Sequence, residues 1–203
     1  MAATFLAACA LAACSDARPP ATTGDATAAA TGTASPVAAS PVAASPVAAS
    51  QCFLTTRLKG ALDAAVDWRG GALACEGGAR PEGRGLRASF AGKGAQGELL
   101  RFVFGLAAAP GEATARNVPT HLTLIVEGKG TLYSTQGDSQ CATEWLEQSP
   151  VAEQPGQWHL RARGYCIDPA LTLDAQARLY VERFDFEGLA HFDPEDLHAA
   201  RTP

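Results

Sequence analysis

Leu62-Asp63-Ala64-Ala65-Val66-Asp67-Trp68 puts Leu62, Ala64, Val66 and Trp68 at every second position, with Asp63, Ala65 and Asp67 between them. Successive side chains leave a strand on opposite sides, so a period of two marks a strand with one face buried and one face wet. On a helix the same residues would scatter around the axis. Arg69-Gly70-Gly71 then reads as a tight turn and residues 72–76 as the returning strand of a hairpin.

The same period recurs downstream. Leu86, Ala88 and Phe90 alternate with Arg87 and Ser89, and Lys93-Gly94-Ala95-Gln96-Gly97 turns into residues 98–106, where Leu100, Phe102, Phe104 and Leu106 share a face. Residues 107–117, with Pro110-Gly111, read as a long loop. Residues 118–127 are β-branched and apolar on both faces, which fits a central strand. A short strand at 131–134 follows Lys129-Gly130, and 135–140 is a loop. Residues 142–147 fit strand or helix. Trp158, Leu160 and Ala162 alternate with His159, Arg161 and Arg163, and 177–187 is the last clear strand. Asp193-Pro194-Glu195-Asp196-Leu197 predicts a capped helical turn with Pro at its first position. About eight short strands with Gly and Pro turns predict an all-β domain, an antiparallel β-sandwich or jelly roll, with a small β-barrel as the alternative.

This domain spans residues 51–203, enough for one sizeable core. Of the 16 Lys/Arg only Arg18, and of the 21 Asp/Glu only Asp16 and Asp25, precede it, so the domain is mildly acidic. Neither a nucleic-acid partner nor a polybasic membrane patch is expected from that balance. The chain ahead of it differs in kind. Residues 15–50 are mostly Ala, Thr, Ser, Pro and Gly with no aromatic residue, Leu or Ile, and Ser-Pro-Val-Ala-Ala starts at Ser35, Ser40 and Ser45. Such a composition buries too little apolar surface to offset chain entropy and predicts a disordered spacer. It would reach roughly 30 Å as a coil and about 110 Å fully extended.

Residues 2–13 form an apolar run about a dozen residues long, too short to cross a bilayer of roughly 30 Å and suited to the h-region of a signal peptide. It ends in Leu11-Ala12-Ala13-Cys14. This resembles the bacterial lipobox: a leucine, two small residues that fit a peptidase cleft, and a cysteine whose thiol accepts diacylglycerol and becomes the new N-terminus. Leu6-Ala7-Ala8-Cys9 repeats the pattern but leaves too little h-region before it. With no Lys or Arg ahead of the run, the natural start is expected upstream of Met1. The resemblance implies a signal peptide at 1–13, lipidation at Cys14 and a tether over 14–50. It also implies location in the cell envelope. Ser15, not Asp, after the cysteine implies the outer membrane, with the domain facing the periplasm.

Four cysteines remain in the domain: Cys52, Cys75, Cys141 and Cys166. An even count in an exported domain predicts disulfides, with three possible connectivities. Cys141–Cys166 is the favoured pair because the two flank a β-rich stretch with few residues between them, and Cys52–Cys75 follows by elimination. No Cys-x-x-Cys spacing points to zinc.

His121, His159, His191 and His198 each stand alone, and no Gly-x-Ser-x-Gly elbow is present. No cofactor or metal is expected. The Gly-rich stretch 77–85 carries Arg80 and Arg84, with Arg87 just beyond. It lacks Gly-x-x-x-x-Gly-Lys and joins two strands, so it is no nucleotide cradle, but an arginine-lined loop suits an anionic ligand or partner. Asp138, in Gln136-Gly137-Asp138-Ser139, is a single carboxylate in a turn and too little for a calcium site. Trp68 and Trp158 fall on apolar faces and are expected in the core, whereas Trp145, near Glu144 and Glu147, is expected at the surface. These features predict a non-enzymatic envelope lipoprotein that binds an envelope protein or a glycan, with protection or inhibition as one form of that role. A glycan hydrolase is the alternative, and it requires two carboxylates roughly 5–10 Å apart in a cleft. Asp63, Asp67, Glu182 and Asp185 are its candidates. A purely structural envelope component is the third reading.

Overall fold

Eleven strands join in one hydrogen-bonded sheet, antiparallel except for a single parallel contact. The computed structural model describes residues 52–81 and 85–199. The signal peptide, Cys14, the tether and Arg84 lie outside the described residues. The strands are β1 (Phe53–Gly60), β2 (Ala64–Arg69), β3 (Ala74–Ala79), β4 (Leu86–Lys93), β5 (Leu99–Leu106), β6 (Thr114–Val126), β7 (Thr131–Ser134), β8 (Cys141–Pro150), β9 (Gln157–Cys166), β10 (Ala170–Thr172) and β11 (Arg178–His191). One helix, α1 (Pro194–Ala199), ends the described chain. The all-β, antiparallel single domain is as expected.

Following the pairings β11–β9–β8–β6–β5–β4–β3 leads back to β11, where His191 pairs with Gly78. The sheet curls over its own core and closes at that point. Closure depends on the absence of a side chain at Gly77 in β3: a Cβ there would lie 2.8 Å from the Leu189 carbonyl oxygen. Across the interior Phe104 meets Phe184 and Phe186, each at 4.9 Å between ring centroids, and Phe90 meets Phe186 at 5.0 Å. These rings come from alternate positions of β4, β5 and β11, as the period of two dictates. Trp68 packs edge-on to Phe102 and Trp158 packs against Phe192, both on the core side as expected.

Both predicted disulfides form, Cys141–Cys166 and Cys52–Cys75. Cys141 stands directly opposite Cys166 in the β8–β9 ladder. Pro194 opens α1 as expected, and the Asp193 amide donates to Asp196 Oδ2 at 3.0 Å, which caps it.

Three local expectations are corrected, and the open reading at 142–147 is decided. Residues 64–69 and 74–79 do not form a hairpin: β2 pairs with β1, β3 pairs with β4, and a 3₁₀ turn over Gly70–Ala72 carries the chain between them. β3 runs through Gly77 and Gly78, so the expected Gly-rich loop is shorter than 77–85. Residues 114–117, expected as loop, begin β6 and take their partners from β8. Residues 142–147 are strand. Two further strands carried no clear signal. In β1 the buried alternation is Leu54, Thr56, Leu58, with a polar residue in the middle, and β10 is only three residues long.

Candidate functional site

Arg116 on β6, Trp145 on β8, Arg163 on β9, Asp185 on β11, Thr55 on β1 and Asp67 on β2 form one cross-strand row. None is buried, so the row lies on the outer face of the sheet. A shared irregularity sets its geometry. In β8, Thr143 and Leu146 are buried while Glu144 and Trp145 between them are not, and the register with β9 shifts at this point. In β6, Ala115 packs on the core and Val118 is buried, while Arg116 and Asn117 are exposed. Each strand thus carries one extra residue, matched across the ladder, and Asn117 takes φ 52° to accommodate it. Bulges re-aim side chains in this way beside many binding sites.

A second bulge lies nearby. Val181 and Phe184 are buried, while Glu182 and Arg183 between them both face out, opposite a register shift between Thr56 and Leu58. The Thr56 hydroxyl donates to the Arg183 carbonyl at 2.6 Å and replaces the ladder bond the bulge removes.

Two adjoining cavities follow. Arg116, Trp145, Arg161, Arg163 and Asp185 line one of about 260 Å³. Arg163 and Asp185 also border another of about 380 Å³, together with Thr55, Arg57, Asp67 and Arg183. The Arg161 guanidinium carbon lies 5.8 Å from the Trp145 ring centroid, within cation–π range. Its Nε is 4.0 Å from Glu187. Arg57, Arg116, Arg163 and Arg183 have no carboxylate oxygen within 4.0 Å among the described residues.

The other half of the sheet contrasts with this. There Arg80 pairs with Asp138 at 3.1 Å, Arg101 with Glu127 at 2.7 Å, and Arg87 with Glu76 at 3.7 Å. Of the predicted set Arg80, Arg84, Arg87 and Trp145, Arg80 follows β3 and Arg87 is on β4, away from Trp145 on β8, and each of these two has a carboxylate within 4.0 Å; Arg84 lies outside the described residues. Arg80 crosses Gly105, where its guanidinium carbon is 3.5 Å from where a Cβ would be. Its partner Asp138 is thereby committed to a structural ion pair.

His121, beside Gly105, joins a hydroxyl network: its Nε2 is 2.9 Å from Ser134 Oγ and 3.2 Å from Thr123 Oγ1, and its Nδ1 is 3.4 Å from Thr135 Oγ1. A histidine within reach of a serine is the geometry of a base and a nucleophile, but a base is ordinarily oriented by a carboxylate, and here a hydroxyl faces Nδ1. The network ties β6 to β7. Among the described residues no three His, Cys, Asp or Glu side chains gather as a metal site.

Neither a protein-family model, nor a curated protein, nor a solved structure matches this chain. Function is therefore argued from the groove itself. Sequence reasoning found Trp145 as the surface aromatic and placed Arg161 and Arg163 on one strand face. It missed Arg116, which lay in an expected loop, and the placing of Asp185 beside Arg163 in the β9–β11 ladder. The detectable signal for the latter was the outward phase of β9 and β11, whose charged residues must face one another if the strands pair.

Proposed function

We propose that this protein is a lipid-anchored component of the cell envelope that acts by binding, with an envelope protein or glycan as its partner. The observation that carries the binding reading is the group of arginines without acidic partners around the two cavities of the outer face. A guanidinium that lacks a carboxylate inside the molecule keeps its donors for one outside it. The two disulfides fit an oxidising compartment. The Leu11-Ala12-Ala13-Cys14 stretch supplies the anchor, and the Ala/Thr/Ser/Pro tether lets the domain stand away from the lipid. Protection against, or inhibition of, an incoming effector is one form such binding takes.

The test is intact mass and membrane fractionation of the native protein beside Cys14→Ala, followed by capture from envelope extracts. Loss of a diacylglycerol mass and release from membranes in the variant is the expected result. A native protein without lipid that stays soluble would remove the anchor and the location with it.

One observation favours the hydrolase reading. Asp67 and Asp185 border the same cavity, two strands apart, or about 10 Å between their Cα atoms at the usual strand spacing. Asp67 is held by Arg69 at 2.9 Å in a well-exposed pair, an arrangement typical of a solvated ion pair. Asp63 and Glu182 do not line that cavity, and Glu182 pairs with Lys59 at 3.2 Å. Release of reducing ends from cell-wall glycan by the native protein, lost in Asp185→Asn, would establish hydrolysis in place of binding.

A further inference from the structure

We infer that the Arg116–Trp145–Arg163 groove binds an acidic saccharide unit, a sugar ring carrying a phosphate or carboxylate, and this deepens the binding role proposed above. Three observations combine. First, charge is segregated. The chain carries a formal net charge of −5, yet the 260 Å³ cavity is bordered by Arg116, Arg161 and Arg163 against Asp185, with Glu187 4.0 Å from Arg161 and neither Arg116 nor Arg163 within 4.0 Å of a carboxylate among the described residues. Among the described residues, Arg178 aside, the arginines without a carboxylate within 4.0 Å all border this cavity or the one beside it. A local excess of one sign inside a molecule of the other sign concentrates counter-ions at that place.

Second, the cations are spaced for one group. Arg116 and Arg163 are the direct cross-strand neighbours of Trp145 on its two sides. Each lies one strand spacing, about 5 Å, from the Trp145 Cα. Two arginines on the strands either side of Trp145, both lining one cavity, offer donors enough for the several oxygens of a phosphate or carboxylate, which guanidinium forks fit better than any single neutral group does.

Third, the cavity has two features that a bare anion does not use. The half-buried Trp145 ring, one side of which carries the Arg161 guanidinium at 5.8 Å, supplies an apolar wall with what that arginine leaves uncovered, and Asp185 supplies an acceptor next to Arg163. An acceptor-only carboxylate beside an anion site repels an unsubstituted ion but receives the hydroxyl donors of a sugar. The volume of about 260 Å³ suits one ring. Arginine holds the anion, tryptophan covers the ring's apolar face, and Asp185 reads hydroxyls.

The experiment is calorimetric titration of the purified full chain with glucose 1-phosphate, glucuronate, glucose and inorganic phosphate. The proposal expects at least one of the two acidic sugars to bind at least tenfold more tightly than both glucose and inorganic phosphate, and the stronger of the two names the anion's source. Arg163→Gln should weaken that affinity at least tenfold, whereas Arg178→Gln, an unpaired arginine away from the groove, should leave it unchanged. Asp185→Asn should weaken the acidic sugar and strengthen inorganic phosphate. A melting curve for each variant verifies the fold.

The proposal is overturned if acidic sugars bind no better than glucose, if inorganic phosphate binds as well as they do, or if Arg163→Gln and Arg178→Gln behave alike. Because purified protein and defined sugars are used, a negative result leaves the broader reading open to its own test. If the protein is still retained by envelope proteins, its partner is a protein, and if neither sugar nor extract binds, the binding role itself fails.

Discussion

Thr56 donates its hydroxyl to the carbonyl of Arg183 at 2.6 Å, across the bulge where β1 and β11 lose register. A core position is thus given to a polar residue because a bulge leaves a main-chain acceptor without its ladder partner, and the hydroxyl supplies one in a part-buried hydrogen bond. Thr56→Val keeps the shape and removes the donor. It should lower unfolding stability by about 0.5–1.5 kcal/mol in urea denaturation, the usual worth of one hydrogen bond, while Thr56→Ser retains most of the stability. Equal midpoints for Thr56→Val and the native protein would show that the hydroxyl contributes nothing.

The Cys141–Cys166 link closes a loop with a sequence separation of 25. Replacing both cysteines with alanine should cost roughly 3–4 kcal/mol on the chain-entropy account, because the unfolded chain regains the freedom the bond had removed. Guanidinium unfolding of the double variant against the native protein measures it. The Cys52–Cys75 link has a similar separation, 23, and by the same account should matter about equally.

Closure of the sheet makes a sharper demand. A side chain at Gly77 would collide with the Leu189 carbonyl and with Ala190, both rigid parts of β11. Gly77→Val should therefore destabilise by about 1–3 kcal/mol or more, in the range of overpacked cores. Hydrogen exchange should accelerate first along β3 and the end of β11 near His191. Protection unchanged there would mean that the ring does not depend on this contact.

The carboxyl of Asp174, in the turn between β10 and β11, lies below the usual carboxylate range, chiefly because it accepts a hydrogen bond from the Thr172 hydroxyl and further because the Gln176 amide donates to it. A folded pKa below the unfolded one adds stability that is present above the unfolded value and lost as the pH falls through the folded value. Thr172→Val should move the Asp174 titration upward in carboxyl NMR and make the turn less sensitive to acid. An unmoved titration would remove the hydroxyl as the cause.

The fold class was legible because burial follows a period of two almost throughout, from Val66 and Trp68 to Phe184 and Phe186. What escaped were the places where that period breaks or where its residues are polar. Thr56 concealed β1, and the double outward step at Glu144-Trp145 left β8 readable as strand or as helix. The double step at Arg116-Asn117 made the start of β6 look like loop. The candidate groove sits on two of these breaks, so Trp145 and the outward Arg163 were visible in the sequence while Arg116, in the expected loop, was not. Strand pairing over long separations is set by the whole sheet, and no local pattern tells which arginine will lack a partner.

Those two breaks are coupled, and their coupling can be measured. Asn117 on β6 and Glu144 on β8 are the extra residues of facing strands, so the β6–β8 register survives while the β8–β9 register shifts. Deleting Glu144 alone restores strict alternation in β8 from Thr143 to Leu146, but it leaves Asn117 unmatched and moves the irregularity into the β6–β8 ladder. Deleting Asn117 alone leaves Glu144 unmatched on both sides. Deleting both restores alternation in each strand and keeps Arg116 opposite Trp145, with Ala115, Val118, Thr143 and Leu146 still facing the core. The double deletion should therefore be more stable than the sum of the single effects predicts, with a coupling in the range of about 0.5–3 kcal/mol found for residues in contact. Urea unfolding of the four proteins reads it. Additive losses would show that the two residues are independent insertions, and that the outward pair Arg116 and Trp145 is not held in place by their match.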